Sequence, residues 1–125
     1  MEIAKECVET DRVIGDFSLT FSEEYIKCGR LKDDRKLLIV RAAIGGTGFL
    51  KHWGLNDMLY LKMLEMVDYA LGLNPENKVV AFLWHQGEHD AFEGDAPDVY
   101  HLQLASMCLR FVNAMARCLF SQVTL

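Results

Sequence analysis

The sequence predicts an α/β domain with a parallel sheet, and three observations support this prediction. Two continuous aliphatic runs, residues 36–44 and 78–84, have the composition of strands that are covered on both faces. Amphipathic helical patterns lie before, between and after these runs, so the order is helix, strand, helix, strand, helix. Each run also ends in an unusual polar or glycine-rich loop, which is where α/β sheets bind ligands.

The first two helices have recognisable boundaries. A capping box at residues 20–23 (T-x-x-E) predicts a short helix that begins there and ends at Gly29. The second helix is predicted to be capped by Asn56 or Asp57 and to stop at Gly72. Its predicted buried face consists of Leu59, Met63, Met66, Val67 and Ala70.

The third helix is longer and follows the loop "GEHDAFEGDAPD". Its apolar stripe recurs every three or four residues and consists of Leu102, Ala105, Leu109, Val112, Ala116 and Leu119. Between the second helix and the second strand, "LNPEN" predicts a turn. All five predicted elements therefore have a defined place along the chain.

Two parallel strands alone would leave both edges of the sheet unpaired. Either residues 1–14 or 120–125 supply further strands, or the chain is part of a larger domain. Because sheets average about 5–6 strands, we prefer the larger domain. Residues 1–125 are accordingly predicted to form one incomplete domain.

The composition excludes several classes of partner. The 125 residues include 18 acidic and 13 basic side chains, a net charge of −5 with no Lys/Arg block, which makes a nucleic-acid partner improbable. The longest apolar stretches fall short of the ~20 residues of a membrane helix, and "MEIAKECVETD" has acidic residues where a signal peptide is apolar. We therefore predict neither a membrane partner nor a signal peptide, and the localisation stays unknown.

The four cysteines, Cys7, Cys28, Cys108 and Cys118, are widely spaced and form no C-x-x-C pair. Isolated cysteines of this kind usually behave as small hydrophobic residues with free thiols. Free thiols fit a cytoplasmic or otherwise reducing compartment.

The loop "AAIGGTGF" follows the first predicted strand. Successive glycines such as Gly45 and Gly46 let backbone N–H groups converge, which suits a phosphate or a developing oxyanion. The alternative is a tight turn that needs small residues. A Walker phosphate loop is excluded, because Lys51 is neither preceded by Gly nor followed by Ser or Thr.

The loop "WHQGEHD" follows the second predicted strand, so the two loops would be neighbours if the strands pair. The Gln86 amide offers two N–H donors that can point at an oxyanion, and Glu88 can orient a neighbouring group. The alternative is that both residues only satisfy the polar groups at the end of a strand.

Residues 85–89 also spell H-x-x-E-H, in which two histidines on one helix face can share a zinc ion. The context argues against this interpretation, because the stretch continues a strand and has Gly87 at its centre. No convincing third ligand follows on a helix. We therefore predict no metal and no cofactor.

The stretches "VRAAIGGTGFLKHW" and "VVAFLWHQGEHDA" together resemble the sialate O-acetylesterase and acetylxylan esterase group of the SGNH hydrolases. Members of that group carry a Gly-Gly-Thr block and then a W-x-Q-G-E-S-D block. The resemblance covers about residues 15–118. It implies a three-layer α/β/α flavodoxin-like fold that removes acetyl groups from sialic acid or plant polysaccharide by serine-esterase chemistry, without a metal.

Carried over by position, the resemblance assigns the oxyanion hole to a backbone N–H of Gly45-Gly46 and to the Gln86 side chain. It assigns support of the loop to Glu88 and Asp90. An O-acetylated carbohydrate is the implied partner.

Two further residues are candidate contacts for the sugar. Trp53 matches an aromatic residue that follows the family's glycine block, although a core indole explains it equally well. His85, beside the oxyanion donor that the resemblance implies, is the second candidate. His89 departs from the family, which usually has Ser there, so a loop hydrogen bond from that Ser is in doubt.

The family's nucleophile lies in a Gly-Gln-Ser-Asn block and its base in an Asp-x-x-His block, and neither block is in its proper place. Ser18 in "VIGDFSLTF" imitates a G-D-S-L block, but the inserted Phe17 would turn the Ser18 side chain away from the position that follows Asp16. His101 in "DVYH" imitates the base block but begins the last helix, where a surface histidine explains it.

We therefore predict that the nucleophile and the base lie outside this chain, so that the domain is truncated at both ends. The alternative is a non-catalytic relative that serves as a structural or sugar-binding module. In either case the remainder of the domain or a partner subunit is expected to cover the edges of the sheet.

Overall fold

The computed structural model describes residues 8–9, 12–13, 17–94 and 97–120. Contacts between residues divide the chain into two units, residues 1–39 and residues 40–125. The predicted strand at 36–44 crosses this boundary. The second unit contains every buried side chain of the core.

The described residues of the first unit form two short strands and one helix. Strands β1 (Val8–Glu9) and β2 (Arg12–Val13) pair antiparallel, with Val8 opposite Val13. Residues 1–7, 10–11 and 14 of the segment predicted to add strands lie outside the described residues, as do residues 121–125 at the other end.

Helix α1 spans Phe17–Lys27 and begins earlier than the capping box predicts. Thr20 therefore lies inside the helix and is not its N-cap. The reason is that the apolar pattern already includes Phe17, one turn before Phe21, whose ring packs against Tyr25 at a centroid distance of 5.8 Å. The predicted stop near Gly29 agrees with the observed end.

The second unit contains three helices: α2 (Met58–Gly72), α3 (Glu88–Glu93) and α4 (Pro97–Phe120). A five-residue π-helical turn, Phe49–Trp53, precedes α2. The predicted start and end of α2 are confirmed, with Asp57 as the N-cap residue. The "LNPEN" turn is also confirmed, because the Asn77 N–H donates to the Asn74 carbonyl at 2.9 Å.

The buried face of α2 differs in part from the prediction. Met63 and Val67 are buried as expected, but Tyr60 is buried and Met66 is exposed. The helix is thus rotated toward its aromatic side. The described core consists of Phe49, Trp53, Tyr60, Met63, Val67, Met107 and Phe111.

Helix α4 is confirmed, but its predicted buried stripe is wrong. The side that packs on the core, called here the inner face, carries Tyr100, Leu104, Met107, Phe111 and Met115. The predicted stripe forms an outer face whose described large residues Leu102, Leu109 and Val112 are 65%, 64% and 61% exposed. Both faces recur at helical spacing, so periodicity alone could not choose between them.

The two predicted parallel strands form no hydrogen-bonded ladder among the residues that the structure describes. Strand hydrogen bonds require a neighbouring strand, and neither run has one within the described ranges. The side chains nevertheless alternate, because Val40, Ala42, Phe82 and Trp84 pack against the core at two-residue spacing. The α/β fold class therefore stays a prediction.

Two smaller observations bear on the class of the protein. Within residues 17–94 and 97–120, none of the helices combines the length and the apolar character needed to cross a bilayer. The thiols of Cys28 and Cys108 are free. Cys7 and the side chain of Cys118 lie outside the described part of the chain.

Candidate active site at the junction of two loops

The glycine loop after the first aliphatic run is held by its own side chains. The Thr47 hydroxyl donates to the Ile44 carbonyl at 2.7 Å and accepts from the Trp53 indole N–H at 2.9 Å. Gly46 adopts φ +70°, a left-handed conformation that glycine tolerates best. Gly45 and Gly46 are exposed, and their N–H groups have no acceptor among the described residues.

Two hydrogen bonds join the second loop to the first, and a third within the second loop supports them. The Gln86 amide donates to the Thr47 carbonyl at 3.0 Å and also to the Asp90 carboxylate. The other Asp90 oxygen accepts from the Phe49 backbone N–H at 2.6 Å. We call the residues Thr47, Phe49, Gln86 and Asp90 the loop junction. It brings the predicted oxyanion residue Gln86 next to the residue that follows Gly45-Gly46.

Asp90 is the only charged side chain that is buried in the described part of the chain, with 3% exposed. A buried carboxylate is costly unless N–H groups surround it, and here a backbone amide and a side-chain amide do so. Gly48 makes the approach possible, because a Cβ there would lie 2.6 Å from the nearer Asp90 oxygen. The resemblance assigned loop support to Asp90, and these contacts fit that role.

Tyr100, on the inner face of α4, contacts both loops and was not found from the sequence. Its hydroxyl donates to the Gln86 carbonyl and accepts from the Trp84 indole N–H at 3.2 Å. Its ring packs edge-on against Phe49 at a centroid distance of 5.2 Å. The available signal was a Tyr on the first turns of a helix that shares its spacing with Leu104 and Met107.

Gly87 has φ +147°, and a Cβ there would lie 3.3 Å from the Tyr100 hydroxyl. Both the backbone conformation and the close contact therefore require glycine at this position. The glycine of "QGE" thus lets α4 approach the loop backbone.

Trp53 is a core residue in the structure. Its side chain is 3% exposed and packs edge-on against Trp84 at a centroid distance of 5.5 Å. The geometry favours the core-indole alternative over a place in a sugar cleft.

Exposed charged residues surround the loop junction. Lys51 of the π-helical turn pairs with Glu93 of α3 at 2.6 Å, and His89 lies 3.4 Å from the same carboxylate. The Lys51 hydrogen bond and charge lower the pKa of Glu93 from its ordinary value, and His89 and His52 lower it further. These contacts tie the two loops together at the surface.

The remaining candidates of the second loop lie outside the loop junction. The side chains of His85 and Glu88 are mostly exposed, and the His85 Nε2 lies 3.9 Å from the Glu88 Oε1. Glu88 makes no described hydrogen bond to the glycine loop, so the bracing observed comes from Asp90.

The H-x-x-E-H stretch does not place its histidines on one helix face. His85 precedes α3, whereas His89 lies within it. Among the described residues, no group of three or more His, Cys, Asp or Glu side chains could hold a metal ion.

Ser18 and His101, which imitate the nucleophile and base blocks, lie in different units. Ser18 is in the first turn of α1, where its carbonyl accepts from the Ser22 hydroxyl at 2.7 Å. His101 is exposed on α4, and no described hydrogen bond links it to the loop junction.

The Gln86 amide sits at the centre of this arrangement. Both of its N–H hydrogens face an acceptor, and its buried Oε1 has no donor among the described residues. Such an amide can stabilise a negatively charged oxygen if that oxygen takes the place of one internal acceptor.

Comparison with known proteins identifies the family of the chain. No curated protein and no solved structure is similar enough to this chain to count as a match. The family model described as "carbohydrate esterase, sialic acid-specific acetylesterase" matches residues 4–123, which include both loops. The chain therefore belongs to this carbohydrate esterase family and contains a carbohydrate acetylesterase-like domain.

Proposed function

We propose that the domain hydrolyses an acetyl ester on a carbohydrate by serine-esterase chemistry, and that the loop junction supplies the oxyanion donors. The observation that carries the proposal is the contact between Gln86 and Thr47 at 3.0 Å. It joins the two blocks that the family resemblance singled out. The contact places the Gln86 amide beside the glycine loop, which an oxyanion hole with donors from both loops requires.

In this mechanism a serine hydroxyl attacks the acetyl carbonyl while a histidine takes its proton. The negative charge that develops on the carbonyl oxygen is stabilised by a backbone N–H of Gly45-Gly46 and by the Gln86 amide. Asp90 keeps that amide in place through its buried carboxylate. The leaving group is the sugar hydroxyl, and water then releases acetate from the serine.

We further propose that the attacking serine and the histidine base come from sequence outside residues 1–125. The support is that neither a Gly-Gln-Ser-Asn block nor a family-type Asp-x-x-His block occurs in its expected place. The fold proposed for the complete domain is the three-layer flavodoxin-like sheet of the SGNH hydrolases. Additional strands would then pair with residues 36–44 and 78–84, whose inward side chains already alternate.

A second candidate function is that of a structural or sugar-binding module in a relative that has no catalytic activity. The observation that favours it is that both Gln86 N–H hydrogens already have acceptors inside the protein. A loop with a purely structural role would show the same arrangement.

The test is hydrolysis of p-nitrophenyl acetate and of an O-acetylated sialic acid by the protein produced from its complete reading frame. Losing one oxyanion donor typically costs about 10²–10³ in rate, so Gln86→Ala should lower kcat strongly and KM little. Gln103→Ala, the same truncation on α4, is the matched control. An unchanged kcat in Gln86→Ala would remove this side chain from the mechanism.

A serine-reactive phosphonate probe separates the remaining alternatives. Labelling of a serine outside residues 1–125 supports the proposed origin of the nucleophile. Labelling of Ser18, abolished in Ser18→Ala, would assign the nucleophile to this chain instead. If the protein shows neither turnover nor labelling, the result favours the non-catalytic module.

A further inference from the structure

Tyr100 occupies a position that the proposed chemistry does not yet use. It lies on α4, far along the chain from the glycine loop, yet its ring contacts Phe49 and its hydroxyl contacts the Gln86 carbonyl. It is thus attached to both loops of the loop junction. The side chain is only partly exposed, so these contacts are not made at the open surface.

The direction of the hydrogen bonds around Tyr100 is fixed by chemistry. An indole N–H can only donate, so the Trp84 N–H donates to the Tyr100 hydroxyl oxygen. The hydroxyl proton is then left to donate to the Gln86 carbonyl, which can only accept. Successive bonds of this kind strengthen one another in a partly buried setting.

This chain of bonds acts on the backbone from which the Gln86 side chain extends. With the carbonyl held by Tyr100, the backbone at Gln86-Gly87 cannot rotate freely, and Gly87 at φ +147° permits the close contact. The side chain is then held by Thr47 and Asp90 at its other end. Both ends of the glutamine are therefore fixed.

We propose that Tyr100 is a positioning residue for the Gln86 amide: its hydroxyl, oriented by the Trp84 indole, holds the Gln86 carbonyl and so sets where the amide points. The catalytic part of this inference rests on the proposed esterase function, whereas the positioning part stands on the geometry. Nuclear magnetic resonance tests the positioning, and turnover tests its use in catalysis.

The first experiment compares ¹⁵N-labelled wild type with Tyr100→Phe, which removes the hydroxyl and keeps the ring. We expect the Trp84 indole and Gly87 amide signals to shift, and the Gln86 side-chain amide to exchange with solvent several-fold faster. Tyr60→Phe is the matched control, since that buried tyrosine makes no hydrogen bond through its hydroxyl to a described residue. Unchanged Gln86 signals in a folded Tyr100→Phe protein would overturn the inference.

A measurement on the wild type covers the case in which Tyr100→Phe does not fold. The Tyr100 hydroxyl proton should then give a slowly exchanging signal with a nuclear Overhauser effect to the Trp84 indole proton. Absence of any such contact between the two groups contradicts the proposed bond.

The second experiment measures kcat and KM in the complete protein. Loss of one hydrogen bond predicts a fall of about 2- to 10-fold in kcat for Tyr100→Phe, with KM little changed. Because Tyr100 acts through Gln86, the double variant with Gln86→Ala should be no slower than Gln86→Ala alone. Multiplicative losses would show that Tyr100 acts independently of Gln86. If the wild type shows no turnover, the proposed function fails, and the magnetic resonance result alone decides the role of Tyr100.

Discussion

The inner and outer faces of helix α4 are both apolar, but only the inner face is buried. The inner face carries aromatic residues and Tyr100, whose hydroxyl is bonded to the Gln86 carbonyl. The outer face has only aliphatic residues and no polar anchor among those described. In α4 the buried face is therefore the one that also carries aromatic packing and a directional bond to a loop. Hydrophobic spacing by itself leaves two solutions.

The largest expected effect comes from removing a side chain of the inner face. Met107 is 0% exposed, and truncating a buried methionine should lower the free energy of unfolding by about 3 kcal/mol in Met107→Ala. Leu109→Ala on the outer face should change it by less than about 0.5 kcal/mol. Urea unfolding followed by tryptophan fluorescence measures both.

The same pair of variants can contradict the difference in burial between the inner and outer faces. If Leu109→Ala in the complete protein costs as much as Met107→Ala, the outer face must be covered there. That result would support the larger α/β domain, in which further elements pack on this helix.

A smaller effect is expected where the inner face meets the loop junction. In Gly48→Ala the new Cβ would lie 2.6 Å from the Asp90 carboxylate, so the loops must separate, at a cost of about 2 kcal/mol. Gly45→Ala is the matched control, because nothing lies within 4 Å of a Cβ there and a change below about 0.5 kcal/mol is expected. Equal stability of the two variants in urea unfolding would mean that Asp90 does not approach the glycine loop.

The smallest effect concerns the charged residues around the loop junction. Because Lys51 lowers the pKa of Glu93 below its ordinary value of 4.5, ionised Glu93 stabilises the folded state above that value. This stabilisation should be lost as the pH falls through the lowered pKa of the folded protein. The difference in unfolding free energy between wild type and Glu93→Gln should therefore be present at pH 6 and vanish in strong acid.

Glu65→Gln is the control for this pH dependence, because Glu65 is exposed on α2 and has no ion pair with a described residue. A difference for Glu93→Gln that grows in acid would contradict the sign of the pKa shift. Urea unfolding at several pH values gives both comparisons.

Much of the architecture could be predicted because its causes are local. Helix α2 follows Asp57 and ends at Gly72, and residue types that favour helix boundaries mark both positions in a short stretch of sequence. Helix α3 was missed because six residues form too few turns for a periodic pattern, although acidic Glu88 and Asp90 in its first turn were a signal.

The candidate site was predicted in part for the same reason. Gln86 and the glycine pair were found because each is unusual at the end of an aliphatic run. Tyr100 and the contact between Asp90 and Phe49, which spans 41 residues, depend on the folded chain and leave no local pattern. The assignment of roles to Gln86, Gly45 and Gly46 stays a prediction.

The Thr47 carbonyl already accepts a hydrogen bond from the Gln86 amide, so an incoming ligand must compete with it for that N–H group. Under the proposed function, a neutral ester oxygen offers about the same hydrogen bond as this carbonyl, so exchanging one for the other gains little. A fully charged oxygen forms a hydrogen bond roughly twice as strong, so its displacement of the Thr47 carbonyl is favourable. An internal competitor of this kind would weaken binding of the intact ester and favour the transition state in which the carbonyl oxygen carries negative charge.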